Sequence, residues 1–215
     1  HDTPLERVLP LDMTPRQRKE SLALMFVIDT SGSMANYVGP DQKIQLAIEG
    51  IRAGVRQLDE EDKAGVIGFT TKIVTDISPT TDHEIIIREV GKLVPTGGTK
   101  MYPALKRAYE KLNAVDAKQK HIILLSDGRS DGDFNTLAEQ IAADQIYVTT
   151  IAIGDAAQGL MQTIAELGRG NYVPVQNVSQ LPKILADEVR QTQKYTIQET
   201  LQPIIAEVGS AILAG

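Results

Sequence analysis

The chain of 215 residues contains no cysteine and no tryptophan, and only three histidines. The absence of cysteine excludes disulfides, thiolate zinc sites and cysteine nucleophiles, and leaves the compartment open, since oxidising and reducing surroundings both tolerate it. There is no excess of basic charge. Against 28 Asp and Glu stand 22 Lys and Arg, a net charge of −6, with no basic stripe to neutralise phosphates, so nucleic acid is not an expected partner. Long apolar runs are missing too: the longest, Leu22 to Ile28, covers seven residues, far below the roughly 20 needed for a membrane-spanning helix. This piece is expected to be soluble. It opens at His1 without an initiating Met or a signal-peptide pattern, and it reads as an excised part of a longer protein.

What is present is a rhythm of buried strands and amphipathic helices. Residues 1–21 carry Pro4, Pro10 and Pro15 and suit an extended lead-in. Apolar runs of strand length then recur at Leu22 to Ile28, Ala64 to Thr70, His121 to Ser126 and Gln145 to Ile153, with shorter ones at Lys72 to Ile77 and Tyr172 to Val175. Between them, Ile44, Ile48, Ile51 and Val55, then Ile86, Val90 and Leu93, then Leu105, Ala108 and Leu112 recur at helical spacing. Such alternation predicts an α/β fold: a doubly wound, mainly parallel sheet of about six strands with helices on both faces. Only Thr71 separates the Ala64 and Lys72 runs, too little for a crossover helix, so the second is expected to be an antiparallel edge strand. Gly168 and Gly170 are expected to end the helix before the last strand. Residues 22–193 are assigned to this domain, and 194–215 to a linker towards a following domain.

In such sheets, ligands gather beyond the carboxyl ends of the strands where the strand order reverses. There the first strand runs into Asp29-Thr30-Ser31-Gly32-Ser33, and the strand ending at Ser126 delivers Asp127-Gly128. The tight loop Pro95-Thr96-Gly97-Gly98-Thr99 lies between them in sequence and offers a third hydroxyl. Asp29, Ser31, Ser33, Thr99 and Asp127 supply only oxygen, a donor set for hard cations. Few carboxylates and room for water favour Mg²⁺ or Mn²⁺ over the many-ligand cage of Ca²⁺. Two carboxylates balance a 2+ ion and leave it able to accept a further carboxylate from a partner.

In these motifs the chain resembles the von Willebrand factor type A family, known also from integrin inserted domains, over about residues 22–193. That family's metal-ion-dependent adhesion site reads Asp-x-Ser-x-Ser, a loop Thr and Asp-Gly, matched here by Asp29-Thr30-Ser31-Gly32-Ser33, Gly97-Gly98-Thr99 and Asp127-Gly128. The resemblance implies a metal held directly by the serines, directly or through water by the aspartates, and by the threonine in the ligand-competent state. It also implies that changes in that shell can move the final helix. Residues Leu5 to Met13 and Gln17 to Glu20, with Thr200 to Pro203 and Ser210 to Gly215, resemble the flanks of this domain in large bacterial membrane-anchored proteins with glutamine-amidotransferase-like domains. A membrane-anchored bacterial parent is therefore expected, its membrane side undecided.

Other constellations fit less well. In Asp127 to Asp133, a calcium loop would need an acid where Arg129 stands and a glutamate where Ala138 stands, so a turn into the next helix is expected. Gly97-Gly98-Thr99-Lys100 reverses the order of a phosphate loop. A serine hydrolase needs a histidine at the site, and His83 and His121 read as surface positions, with Asp82 as a helix cap. Ile85-Ile86-Ile87 reads as helical core, and Tyr37, Tyr102 and Arg129 as a contact rim around the metal. The functional expectation is a non-enzymatic, metal-dependent binding module for an acidic residue of a partner protein or a neighbouring domain. Metal-assisted hydrolysis and an intramolecular scaffold are the alternatives.

Overall fold

The computed structural model describes residues 21–154 and 158–193. The expected lead-in (save Ser21) and the 194–215 linker lie outside them. In chain order the described residues form β1 (Leu22–Asp29), a 3₁₀ turn (Gly32–Ala35), the short strands β2 (Tyr37–Val38) and β3 (Asp41–Gln42), and α1 (Lys43–Val55). There follow β4 (Lys63–Phe69), β5 (Ile73–Thr80), α2 (His83–Val90), α3 (Met101–Asn113), β6 (Gln119–Ser126), α4 (Phe134–Ala143), β7 (Ile146–Ile153), α5 (Gln158–Leu167) and β8 (Arg169–Val175). A last helix, α6, covers residues 181–193.

The main sheet has six strands in the order β5-β4-β1-β6-β7-β8, all parallel except the β4/β5 pair. This is the doubly wound α/β fold expected from the sequence, down to its antiparallel edge. The period-2 geometry of β1 explains its unbroken apolar run: Leu22, Leu24, Phe26 and Ile28 face one core with residues of α1, α2 and α6, while Ala23, Met25 and Val27 face the other with residues of α3, α4 and α5. Each fully buried Leu, Ile or Phe contributes about 1.5–3 kcal/mol, so β1 anchors both layers. At the edge, β5 alternates partly buried with exposed residues, as one covered face requires. The chain leaves β1 towards β4 on one side and returns to β6 on the other, so strand order reverses at β1.

Three readings change. Gly168 does follow α5, but Gly170 belongs to β8, where a Cβ would stand 2.3 Å from the Val148 carbonyl oxygen, so its role is close strand approach. His121 is half-buried rather than a plain surface residue: it faces a pocket shared with Gln119, Tyr147, Thr149 and Asn171, its Nε2 lies 2.9 Å from Thr149 Oγ1, and burial pushes its pKa down to about 4. Tyr147, stacked on its ring, and the polar side chains of Thr149 and Asn171, not the charged Lys118 to Lys120, form its surroundings. Asp82 occupies the cap position of α2 but makes no side-chain capping bond. Ile86 is core as expected, with Ile87 packed against it. Helix α6 seats closely on α1, since a Cβ on Gly50 or Gly54 would fall 2.5 Å from Leu185 Cδ1 or 2.8 Å from Val189 Cγ2.

Candidate metal centre

The sheet register assembles the site. Ile28 pairs with Leu125, which sets Asp29 beside Ser126 at the carboxyl ends of β1 and β6. Asp29 is fully buried, accepting the Ser31 amide on Oδ1 at 2.8 Å and the Ser126 hydroxyl on Oδ2 at 2.5 Å. Burial pushes its carboxyl above the ordinary range; the hydrogen bonds from Ser126 and Ser31 oppose this, and the nearby Asp127 charge adds to it. Ser126 also accepts the Gly128 amide at 3.1 Å, tying the Asp127 turn to the same point.

From Asp29 the 3₁₀ turn carries two hydroxyls outward. Ser31 Oγ and Ser33 Oγ share a hydrogen bond of 2.9 Å, and Ser33 donates to Asp127 Oδ1 at 2.6 Å. The 94–100 loop is laid across this turn by backbone bonds, Gly32 N to Gly97 O at 2.9 Å and Thr96 N to Thr30 O at 2.8 Å, with Gly97 at the positive φ of 71° that such a reversal needs. Thr99 then stands against Gly128, where a Cβ would lie 2.9 Å from its Oγ1. Its hydroxyl is not spent on capping: Lys100 is the cap residue of α3, and the Met101 amide is met by Ser130 Oγ at 2.9 Å.

Four of the five expected oxygen donors, Asp29, Ser31, Ser33 and Asp127, thus form one hydrogen-bonded string, with Thr99 beside the Asp127-Gly128 turn. A group unmarked in the sequence joins them. Lys43, the first residue of α1, places Nζ 2.7 Å from Asp127 Oδ2, a carboxylate whose side chain is fully buried. This ammonium neutralises Asp127, and the oxygen-only donor chemistry of the cluster fits a hard divalent cation. Among the described residues no group of three or more His, Cys, Asp or Glu side chains is placed to hold a metal, so any ion here relies on hydroxyls.

The expected rim is mixed. Tyr37, on β2, is 69% exposed, and Arg129 is exposed. Tyr102 is half-buried, edge-on to Phe134 at 5.5 Å, and lines an open depression with Thr99, Lys100 and Arg129. Val94, 70% exposed on the loop leading to Thr99, was not expected there. The calcium-loop candidate resolves as a turn: Asp133 caps α4 by accepting the Thr136 amide. Ser126 and Lys43 are the residues the sequence reading missed. The signal for Ser126 was a polar residue closing an apolar strand directly before Asp127; for Lys43, a cation in the first turn of a helix.

The model of the von Willebrand factor type A domain matches residues 23–187. The chain belongs to this family. It is 26% identical over 203 residues to the Escherichia coli protein YfbK, covering 86% of this chain and 34% of that protein, and so spans about a third of that relative's length. Bacillus subtilis YwmC is 23% identical over 197 residues, with 82% of this chain and 87% of YwmC covered. Among solved structures, an aerotolerance-related membrane protein from Bacteroides fragilis matches with a TM-score of 0.68 at 20% identity, over 79% of this chain and 99% of that one. BatB from Bacteroides thetaiotaomicron gives 0.70 at 22%, over 80% and 99%. These likenesses are of fold. No helix among the described residues is long and apolar enough to cross a membrane.

Proposed function

We propose that this von Willebrand factor type A domain is a non-catalytic binding module in which Asp29, Ser31, Ser33, Thr99 and Asp127 hold a Mg²⁺ ion that accepts a carboxylate from a partner protein. The observation that carries this reading is the string of oxygen donors from Asp29 through Ser31 and Ser33 to Asp127 at the strand-order reversal, with a cation already drawn to its outer end. A bound ion would supply an electrophilic position for one more oxygen ligand. Mn²⁺ suits the same donors; Ca²⁺ suits them less well.

Charge supports an acidic partner. Asp29 and Asp127 offset a 2+ ion, and Lys43 leaves the loaded site with one net positive charge, which a partner Asp or Glu would cancel. Tyr37, Arg129 and the exposed Val94 provide contacts around it. Among the described residues no histidine stands at the site to act as a general base: His83 bonds the Asp62 carbonyl and His121 bonds Thr149, both towards the amino-terminal edge of the parallel strands. The likeness to an aerotolerance-related membrane protein supports a membrane-anchored bacterial parent, within which a neighbouring domain is another source of the carboxylate.

Isothermal titration of Mg²⁺ into the chain and into Asp29→Ala, followed by partner capture in Mg²⁺ with EDTA elution, tests this. Saturable binding and retention, both lost in Asp29→Ala, are expected. Equal Mg²⁺ binding by the two chains, retention indifferent to EDTA, or Mg²⁺-dependent turnover of simple esters or phosphoesters overturns it.

A further inference from the structure

Lys43 stands where helix electrostatics disfavour it. A cation in the first turn faces the positive end of the helix dipole, at a cost of about 0.3–1 kcal/mol, and α1 has no acid in that turn to offset it. Its ammonium reaches instead to Asp127, 84 residues away, and holds Oδ2 at 2.7 Å with only 18% of the lysine side chain exposed. The other oxygen of the same carboxylate takes the Ser33 hydroxyl. The Lys43 backbone is fixed as well, its amide donating at 3.0 Å to the Asn36 carbonyl, just after the turn that carries Ser33. One short stretch of chain, from Ser33 to Lys43, therefore supplies both the hydroxyl and the ammonium that hold the two oxygens of Asp127, and this carboxylate is neutralised from within.

We infer that Lys43 is a resident counter-cation that competes with the divalent ion for Asp127 and thereby sets the affinity of the site. The inference rests on the metal-binding reading above. An ion approaching Asp127 meets a unit positive charge already on one of its oxygens, and binding requires Lys43 to withdraw towards solvent or to remain close to a like charge. Either cost weakens binding, so the site fills only where the divalent ion is plentiful. Without Lys43 the buried carboxylate would lack its cation and would take a metal more readily, at the expense of the metal-free fold.

Mn²⁺ binding to the whole chain, followed by the loss of the free-ion electron paramagnetic resonance signal, separates the possibilities. Lys43→Met is expected to tighten Mn²⁺ at least about tenfold, given a unit charge removed from within a few ångströms, and to lower the melting temperature in EDTA. Lys43→Arg keeps the charge and is expected to stay within about threefold of the parent. A lysine with a merely structural role would on removal leave binding unchanged or weaken it. If the parent chain shows no saturable Mn²⁺ binding, or Asp29→Ala binds equally well, the metal-site reading fails. If the parent binds through Asp29 and Lys43→Met binds no tighter, the role of Lys43 alone fails. Should Lys43→Met not fold, Lys43→Gln decides by the same criterion.

Discussion

Replacing Asp29 by asparagine separates what the site needs from what the fold needs. The carboxylate is fully buried at the junction of β1 and β6, where dehydration of a charge costs several kcal/mol. Bonds from the Ser31 amide and the Ser126 hydroxyl return about 1.5–3 kcal/mol each. The upward displacement of its pKa shows that burial, aided by the neighbouring Asp127 charge, outweighs those bonds. Asparagine keeps an oxygen for the Ser31 amide and presents an amide group towards Ser126, while shedding the charge. Asp29→Asn should therefore raise stability in EDTA by about 1 kcal/mol, some 2–4 °C for a domain of this size. Mg²⁺ at a hundredfold excess over its dissociation constant would add about 2.7 kcal/mol to the parent chain, and Asp29→Asn should lose that increment. Calorimetric melting of both proteins with Mg²⁺ and with EDTA gives the four midpoints. The reasoning fails if the variant melts below the parent in EDTA, or if it keeps the Mg²⁺ increment.

Two further outcomes concern the opposite edge of the sheet. Asp62→Ala strips acceptors from the Leu22 amide at 3.1 Å, the Asp59 amide at 3.1 Å and Gln193 Nε2 at 3.0 Å, and should cost about 3 kcal/mol in urea unfolding; a loss under 1 kcal/mol would show that water replaces those bonds. His121 has a folded pKa of about 4, below its ordinary 6.5, so its contribution is fully present above pH 6.5 and is lost as pH falls towards 4. Because the pocket beside it admits solvent, about 1–2 kcal/mol should be lost by pH 5 in the parent chain. His121→Gln should flatten this part of the stability profile, and an unchanged acid limb in the variant would assign the loss to other groups.

The layered fold was legible because burial on both faces of a parallel strand leaves an uninterrupted apolar run, as in Leu22 to Ile28, and helices covering a sheet need an apolar stripe, as at Ile44, Ile51 and Val55. That Asp29, Ser31, Ser33 and Asp127 meet at one end of the sheet was legible because the motifs that carry them directly follow β1 and β6. Harder to read were features with no period. The two-residue strands β2 and β3 are too short to leave a pattern, yet they carry Tyr37 out to 69% exposure. His121 follows the charged Lys118 to Lys120 and reads as exposed, but its position in β6 turns its ring into a half-covered pocket beside Tyr147 and Thr149. Lys43 and Ser126 meet their acids across 84 and 97 residues of chain, which local spacing does not encode.

The two edges of the sheet also show why a buried acid alone does not mark a site. Asp62 is only 5% exposed, as withdrawn as Asp127, but it is surrounded by donors: two backbone amides and a side-chain amide point at its oxygens. Such a carboxylate closes the fold and needs nothing more. At the other edge, Asp127 is met by a serine hydroxyl that is itself bonded to a second serine, and by an ammonium brought from the start of α1. Hydroxyls bonded to one another leave lone pairs converging near the acids, and such a cluster is settled by positive charge rather than by further amides. That difference in donors, more than burial, separates Asp127 from the structural acid at the far edge and makes the ammonium of Lys43 informative.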